Sequence, residues 1–150
     1  DPRMDRRQLG VIDRNGKTAI WTGEGCKGWA GGEARDGLCV LGNRLEGPQV
    51  IAAALKAFEA IPGAPLVERL VQALAAGMAA GGDRKEERSA TVYVVATEEY
   101  PLWDIRVDDH DDPIGELVRL QGVFARELLP HIRRMATRAN PAGIFEEGDV

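Results

Sequence analysis

Cysteine is scarce in this chain of 150 residues: Cys26 and Cys39 are the only two. A pair is too few for a disulfide framework, and the default compartment for such a chain is a reducing cytoplasm. Histidine is equally scarce. His110 and His131 lie far apart in sequence and near no cysteine, which argues against a zinc site. Long hydrophobic runs are missing too. The longest apolar segment, residues 66–80, is interrupted by Glu68, Arg69 and Gln72, so no span of about eighteen apolar residues exists to cross a membrane. The opening Asp1-Pro2-Arg3-Met4-Asp5 is polar and has no apolar region behind it, unlike a signal peptide. Positive charge is not in excess: 19 Lys and Arg face 24 Asp and Glu, a net charge of -5. Basic residues are interleaved with acids apart from short runs such as Arg6-Arg7 and Arg133-Arg134, which argues against a nucleic-acid surface.

What is present suits an ordinary globular domain with one sizeable core. The chain is 44% hydrophobic and 29% charged, without internal repeats or low-complexity stretches. Asn15-Gly16 between two apolar, β-branched runs predicts a hairpin with strands near 8–13 and 17–23. The glycine-dense stretch from Gly23 to Gly37 is expected to be a loop, and Leu38–Leu41 a short buried strand. From Pro48 the apolar residues Val50, Ile51, Ala54, Leu55 and Phe58 recur at helical spacing, up to Pro62-Gly63. A second helix is expected from about Pro65 to Gly81-Gly82, with Leu66, Leu70, Leu74 and Met78 as its apolar stripe. Residues 89–97 and 102–107 read as strands, the first β-branched and the second alternating through Trp103, Ile105 and Val107. Asp112-Pro113 has the form of a helix N-cap, and Pro130 should kink or shorten the helix that follows. The order β-β-β-α-α-β-β-α suits a layered α+β arrangement with antiparallel strands.

Several segments together resemble one family. They are Leu9-Gly10-Val11-Ile12-Asp13, Thr22-Gly23 through Cys26 to Trp29-Ala30-Gly31, and Leu41-Gly42-Asn43 with Gly47. Further along come Ala79-Ala80-Gly81-Gly82-Asp83-Arg84, Ser89-Ala90, and Arg106-Val107-Asp108-Asp109-His110 with Asp112-Pro113. In this order and spacing the chain resembles DUF1028, over about residues 8–120. The expected domain covers residues 1–140, and the short acidic stretch beyond Asn140-Pro141 reads as a loose tail over 141–150. The resemblance implies an N-terminal-nucleophile (Ntn) hydrolase-like αββα sandwich of antiparallel sheets. The C-terminal two-thirds would be present and the N-terminal segment that carries the nucleophile absent. Asp1 cannot be such a nucleophile, because that chemistry needs a Ser, Thr or Cys side chain beside its own free amine.

Each candidate site residue has two readings. Asn43 is an oxyanion donor if the family likeness holds in function, or a turn residue after a strand. Asp83 could hold a substrate ammonium or amide and Arg84 a carboxylate. Alternatively the two cap the preceding helix and pair locally. Arg106, Asp108 and His110 would share one strand face in a polar, substrate-binding network, or form a solvated turn into the Asp112 cap. Calcium would need a spacing that is absent here. Cys26, in its glycine loop, is a weaker nucleophile candidate. Trp21, Trp29 and Trp103 read as core or interface anchors.

The expected function is amide hydrolysis on a small amide or peptide-like substrate. Asn43 would bind the oxyanion, and Asp83, Arg84, Arg106, Asp108 and His110 the substrate, with no metal or cofactor. The expected partners are a small-molecule substrate, an N-terminal companion segment or chain and further copies in a homo-oligomer. The alternative is a non-enzymatic metabolite-binding or oligomer-forming module with the same fold.

Overall fold

The structure is a computed structural model describing residues 1–145. It divides into two compact units, Asp1–Glu87 and Arg88–Val150. The fold is α+β. Its three sheets are each two-stranded and antiparallel, and no barrel forms among the described residues. No helix among them is long and apolar enough to cross a membrane.

In the first unit, a 3-10 turn (Met4–Arg6) leads into β1 (Gln8–Ile12) and β2 (Thr18–Thr22). The Asn-Gly turn forms where the sequence places it. Gly16 takes a φ of 81°, and the Asp13 carboxylate accepts hydrogen bonds from the backbone N–H groups of Asn15 and Lys17 at 2.8 and 2.9 Å. Next come β3 (Trp29–Arg35) and β4 (Leu38–Leu45), paired antiparallel.

Here the sequence expectation fails twice. Half of the glycine stretch is strand rather than loop, because β4 comes close to it. A Cβ on Gly32 would collide with the Val40 carbonyl, so glycine is the residue that permits the approach. β4 also runs to eight residues and is half-buried rather than buried.

The β1–β2 hairpin lies against β3–β4. Gly10 faces Leu41, and the Thr18 hydroxyl donates to the Arg35 carbonyl at 3.0 Å. Its other face carries Leu9, Val11 and Trp21, which are 49%, 60% and 50% exposed.

Helices α1 (Pro48–Ala60) and α2 (Leu66–Ala79) complete the unit and supply its core. α1 buries Val50, Ile51, Ala54, Leu55 and Phe58, as its spacing predicts. α2 buries Val67, Val71 and Gly77, whereas Leu66, Leu74 and Met78 are exposed. The expected stripe is therefore corrected by about one residue around the helix. Both faces repeat at helical spacing, and the close fit of Gly77 on Val50 and Ala54 of α1 decides between them. The Arg69 guanidinium stacks 3.9 Å above the Phe58 ring.

In the second unit, β5 (Ala90–Val95) and β6 (Pro101–Val107) form a hairpin with one apolar face. Val92, Val94, Trp103, Ile105 and Val107 are buried there, together with Leu117 and Phe124 of α3 (Pro113–Glu127). Trp103 stacks on Phe124 with ring centroids 4.9 Å apart. The Asp112 carboxylate caps α3 by accepting from the Gly115 N–H at 2.9 Å. α3 stops before Pro130, and the short α4 (Leu129–Ile132) follows, as that proline requires. After α4 the chain returns, with the Ile144 N–H donating to the Arg134 carbonyl at 2.8 Å. Of the expected acidic tail, residues 146–150 lie outside the described residues.

Candidate functional site

Three stretches of the first unit, distant in sequence, are tied together by main-chain hydrogen bonds. The Gly25 N–H donates to the Asp5 carbonyl at 2.7 Å, and the Gly23 N–H to the Arg7 carbonyl at 2.9 Å. Gly23 is buried there, and a Cβ on it would strike the Asp5 carbonyl group. The Arg44 N–H donates to the Lys27 carbonyl at 2.9 Å, while the Arg84 N–H donates to the Arg44 carbonyl at 2.8 Å. Arg44 is thereby held at a φ of 60°, in the left-handed region that costs a side-chain-bearing residue about 1 kcal/mol or more.

Between these stretches lies a cavity of about 550 Å³. The 3-10 turn lends it Asp5 and Arg6, and β1 lends it Gln8. Gly25, Cys26 and Lys27 come from the loop, and Asn43 and Arg44 from the end of β4.

Gln8 organises one wall. Its Nε2 faces three oxygens, the Gly42 and Gly31 carbonyls at 2.9 and 3.1 Å and Thr22 Oγ1 at 3.1 Å. Its Oε1 accepts from Asn43 Nδ2 at 3.1 Å. That contact uses one of the two N–H groups of the Asn43 amide and fixes the plane of the other. The Cys26 thiol donates to the Arg7 carbonyl at 3.5 Å, and both histidines belong to the second unit, so no imidazole of this unit stands beside it.

Asp83 and Arg84 come to the same end of β4 but do not line the cavity. Leu45 and Asp83 form an isolated antiparallel bridge, and Arg84 Nε pairs with the Glu46 carboxylate at 3.3 Å. Close by, burial and the Asp83 carboxylate, which also shares a hydrogen bond with it, push the Glu87 carboxyl above the usual carboxylate value, against the pull of Arg44.

The acidic cluster belongs to the second unit and is exposed. β6 ends at Val107 and Asp109 takes a φ of 54°, so Arg106, Asp108 and His110 do not share the face of one strand, as had been expected. Arg106 Nε pairs with Asp108 at 2.9 Å, and His110 Nδ1 accepts from the Asp112 N–H at 3.0 Å. Arg88 bridges Asp109 and Asp111 at 2.5 and 2.8 Å, and its guanidinium holds the Asp109 carboxyl below the usual range. Among the described residues, no three His, Cys, Asp or Glu side chains are grouped as a metal site would need.

Of the expected residues, Asn43 and the weaker candidate Cys26 line the cavity. Arg6, Gln8, Lys27 and Arg44 carried no sequence signal, since each is an ordinary polar residue in a turn or strand until the main-chain bonds assemble them.

A family model described as a family of unknown function (DUF1028) matches residues 1–117. The crystal structure of a DUF1028 protein from Silicibacter pomeroyi superimposes with a TM-score of 0.82 at 27% sequence identity. The alignment covers 97% of this chain and 65% of that one, so the chain spans about two-thirds of its neighbour's length. No curated protein matches the sequence significantly.

Proposed function

The chain belongs to the DUF1028 family, whose function is unknown, and from that premise we propose that it supplies the oxyanion- and substrate-binding part of a cytoplasmic amide hydrolase. The proposed frame is an Ntn-hydrolase-like αββα sandwich, with the nucleophile on an N-terminal segment or companion chain outside these 150 residues. One observation carries the reading: the Asn43 amide is oriented by Gln8 on the wall of a polar cavity, with an N–H left for a ligand. A preorganised amide of this kind stabilises charge on a tetrahedral intermediate because it needs no reorientation during the reaction.

Two further features support the reading. Asp83, Arg84 and the raised Glu87 carboxyl stand next to Arg44 outside the cavity lining, where they can reach polar groups of a substrate that extends beyond the cavity. The outer face of the β1–β2 hairpin, with Leu9, Val11 and Trp21 about half exposed, suits cover by a companion segment or by a second copy in a homo-oligomer.

The test starts from protein purified from its natural gene. Native and denaturing mass spectrometry should show a polypeptide, fused or separate, starting with Ser, Thr or Cys. A panel of small amides should then be cleaved, and Asn43→Ala should lower the rate about a hundredfold or more with little change in KM. An unchanged rate in Asn43→Ala removes the oxyanion role. A stable homo-oligomer without such a polypeptide removes the hydrolase and leaves the metabolite-binding alternative.

A further inference from the structure

We infer that this cavity takes a small carboxylate, so that the substrate class is an amide that also bears a carboxylate group. The inference rests on the cavity being the ligand site of the proposed function, and it does not require cleavage.

The chain as a whole is acidic, with a net charge of -5, yet the residues that line the cavity include three cationic ones, Arg6, Lys27 and Arg44, against a single acidic one, Asp5. That carboxylate lies 4.0 Å from Arg6 and is thus partly neutralised already. The main chains of Lys27 and Arg44 are joined by the hydrogen bond from the Arg44 N–H to the Lys27 carbonyl. Among the described residues, neither side chain has a carboxylate within ion-pair reach. Elsewhere the arginines Arg35, Arg84, Arg106 and Arg119 each hold one at 2.6 to 3.3 Å. The pull of Arg44 on the Glu87 carboxyl acts from beyond ion-pair reach, so an anionic ligand near Lys27 and Arg44 gains a direct pairing that neither cation has.

The choice of carboxylate over phosphate comes from the main chain. Phosphate sites typically cradle the anion with free backbone N–H groups. Here the N–H groups of Gly25, Cys26 and Arg44 already donate to the carbonyls of Asp5, Gly23 and Lys27. The cationic residues and the Asn43 amide are the side-chain donors that remain. Together they match a compact ligand with a carboxylate at one end and a carbonyl oxygen at the other. A volume of about 550 Å³ has room for such a molecule.

Titration of isotope-labelled protein from the natural gene with succinamate, succinamide and inorganic phosphate tests this by NMR. Succinamate should shift the amide signals of residues 25–27 and 43–44 and bind at least tenfold more tightly than uncharged succinamide. Its affinity should weaken as salt is raised. Lys27→Gln and Arg44→Gln should each cost about tenfold for succinamate and leave succinamide unchanged, with thermal melting confirming that each variant is folded. Equal binding of succinamide, tighter binding of phosphate, shifts confined to other residues, or no saturable response to succinamate each overturn the inference. Succinamate that binds as expected but is never cleaved counts against the hydrolase and leaves the ligand class standing.

Discussion

Replacing Gln8 by glutamate should destabilise the first unit more than replacing it by alanine, and in a way that depends on pH. The Gln8 side chain donates from Nε2 towards the Gly42 carbonyl at 2.9 Å, the Gly31 carbonyl at 3.1 Å and the Thr22 hydroxyl at 3.1 Å. Its amide can point only one way. The reverse orientation would set Oε1 against two carbonyl oxygens and Nε2 against the N–H groups of Asn43. Nε2 has two hydrogens to share among these three acceptors, so Gln8→Ala, at a part-buried site that water can reach, should cost about 2 kcal/mol at roughly 1 kcal/mol for each N–H. Gln8→Glu keeps the shape but puts a charged acceptor where the two carbonyls need a donor. At neutral pH its cost should reach about 3 kcal/mol or more, because those carbonyls lose their donors and face a negative charge.

The sign of the pH dependence follows from the same geometry. A carboxylate facing carbonyl oxygens is disfavoured in the folded state, so its pKa there is raised above the unfolded value of about 4.3. Below pH 4 the protonated acid still donates one hydrogen and the penalty is smallest. As pH rises past 4.3 the penalty should grow by up to about 1.4 kcal/mol per unit, and stop growing above the folded-state pKa. Urea unfolding between pH 4 and 8, followed on backbone NMR signals of residues 1–87, measures it. A Gln8→Glu protein as stable as the parent at pH 7, or one whose deficit is the same at every pH, would refute this account of the cavity wall.

Two other outcomes are expected. Leu117 is fully buried in α3, so Leu117→Ala should cost about 3 kcal/mol in urea unfolding of the second unit, and a loss below about 1 kcal/mol would show that the site collapses without a cavity. The Glu87 carboxyl, raised first by burial and then by Asp83, should titrate above 4.5 by carbon-detected NMR. Its contribution to stability is present below that value and lost as pH rises through the folded pKa. Asp83→Asn should bring it back down, and a Glu87 that titrates at or below 4.5 contradicts the pairing.

How much of this fold could be read in advance depended on whether its causes were local. The Asn15-Gly16 turn, the Asp112 cap and the break before Pro130 follow from chemistry within a few residues, and all three stand where the sequence puts them. β3 could not be read this way. Glycine in the stretch 29–35 meant loop by composition, and only the nearness of the Val40 carbonyl makes Gly32 a strand residue. The face of α2 was undecidable for a related reason. Leu66-Leu70-Leu74 and Val67-Val71 are both helical stripes, and the choice belongs to α1.

The candidate site follows the same division. Asn43 was singled out because an Asn after a strand and a glycine is the kind of residue that serves as an oxyanion donor in the Ntn-type frame that the resemblance implies. Arg44, the next residue, was not, although it joins more of the site than any other. Its N–H holds the loop at Lys27, its carbonyl holds Arg84, and the residue itself lines the cavity. Each of these contacts spans at least seventeen residues of sequence, and the left-handed backbone that permits them leaves no signature in an arginine. The Gly81-Gly82-Asp83-Arg84 motif thus acquires a structural meaning that its sequence lacked. Gly82, at a φ of 55°, accepts from the Glu46 N–H at 3.1 Å, and the turn delivers the Arg84 N–H to the one residue whose conformation sets Asn43 and Lys27 on a common cavity.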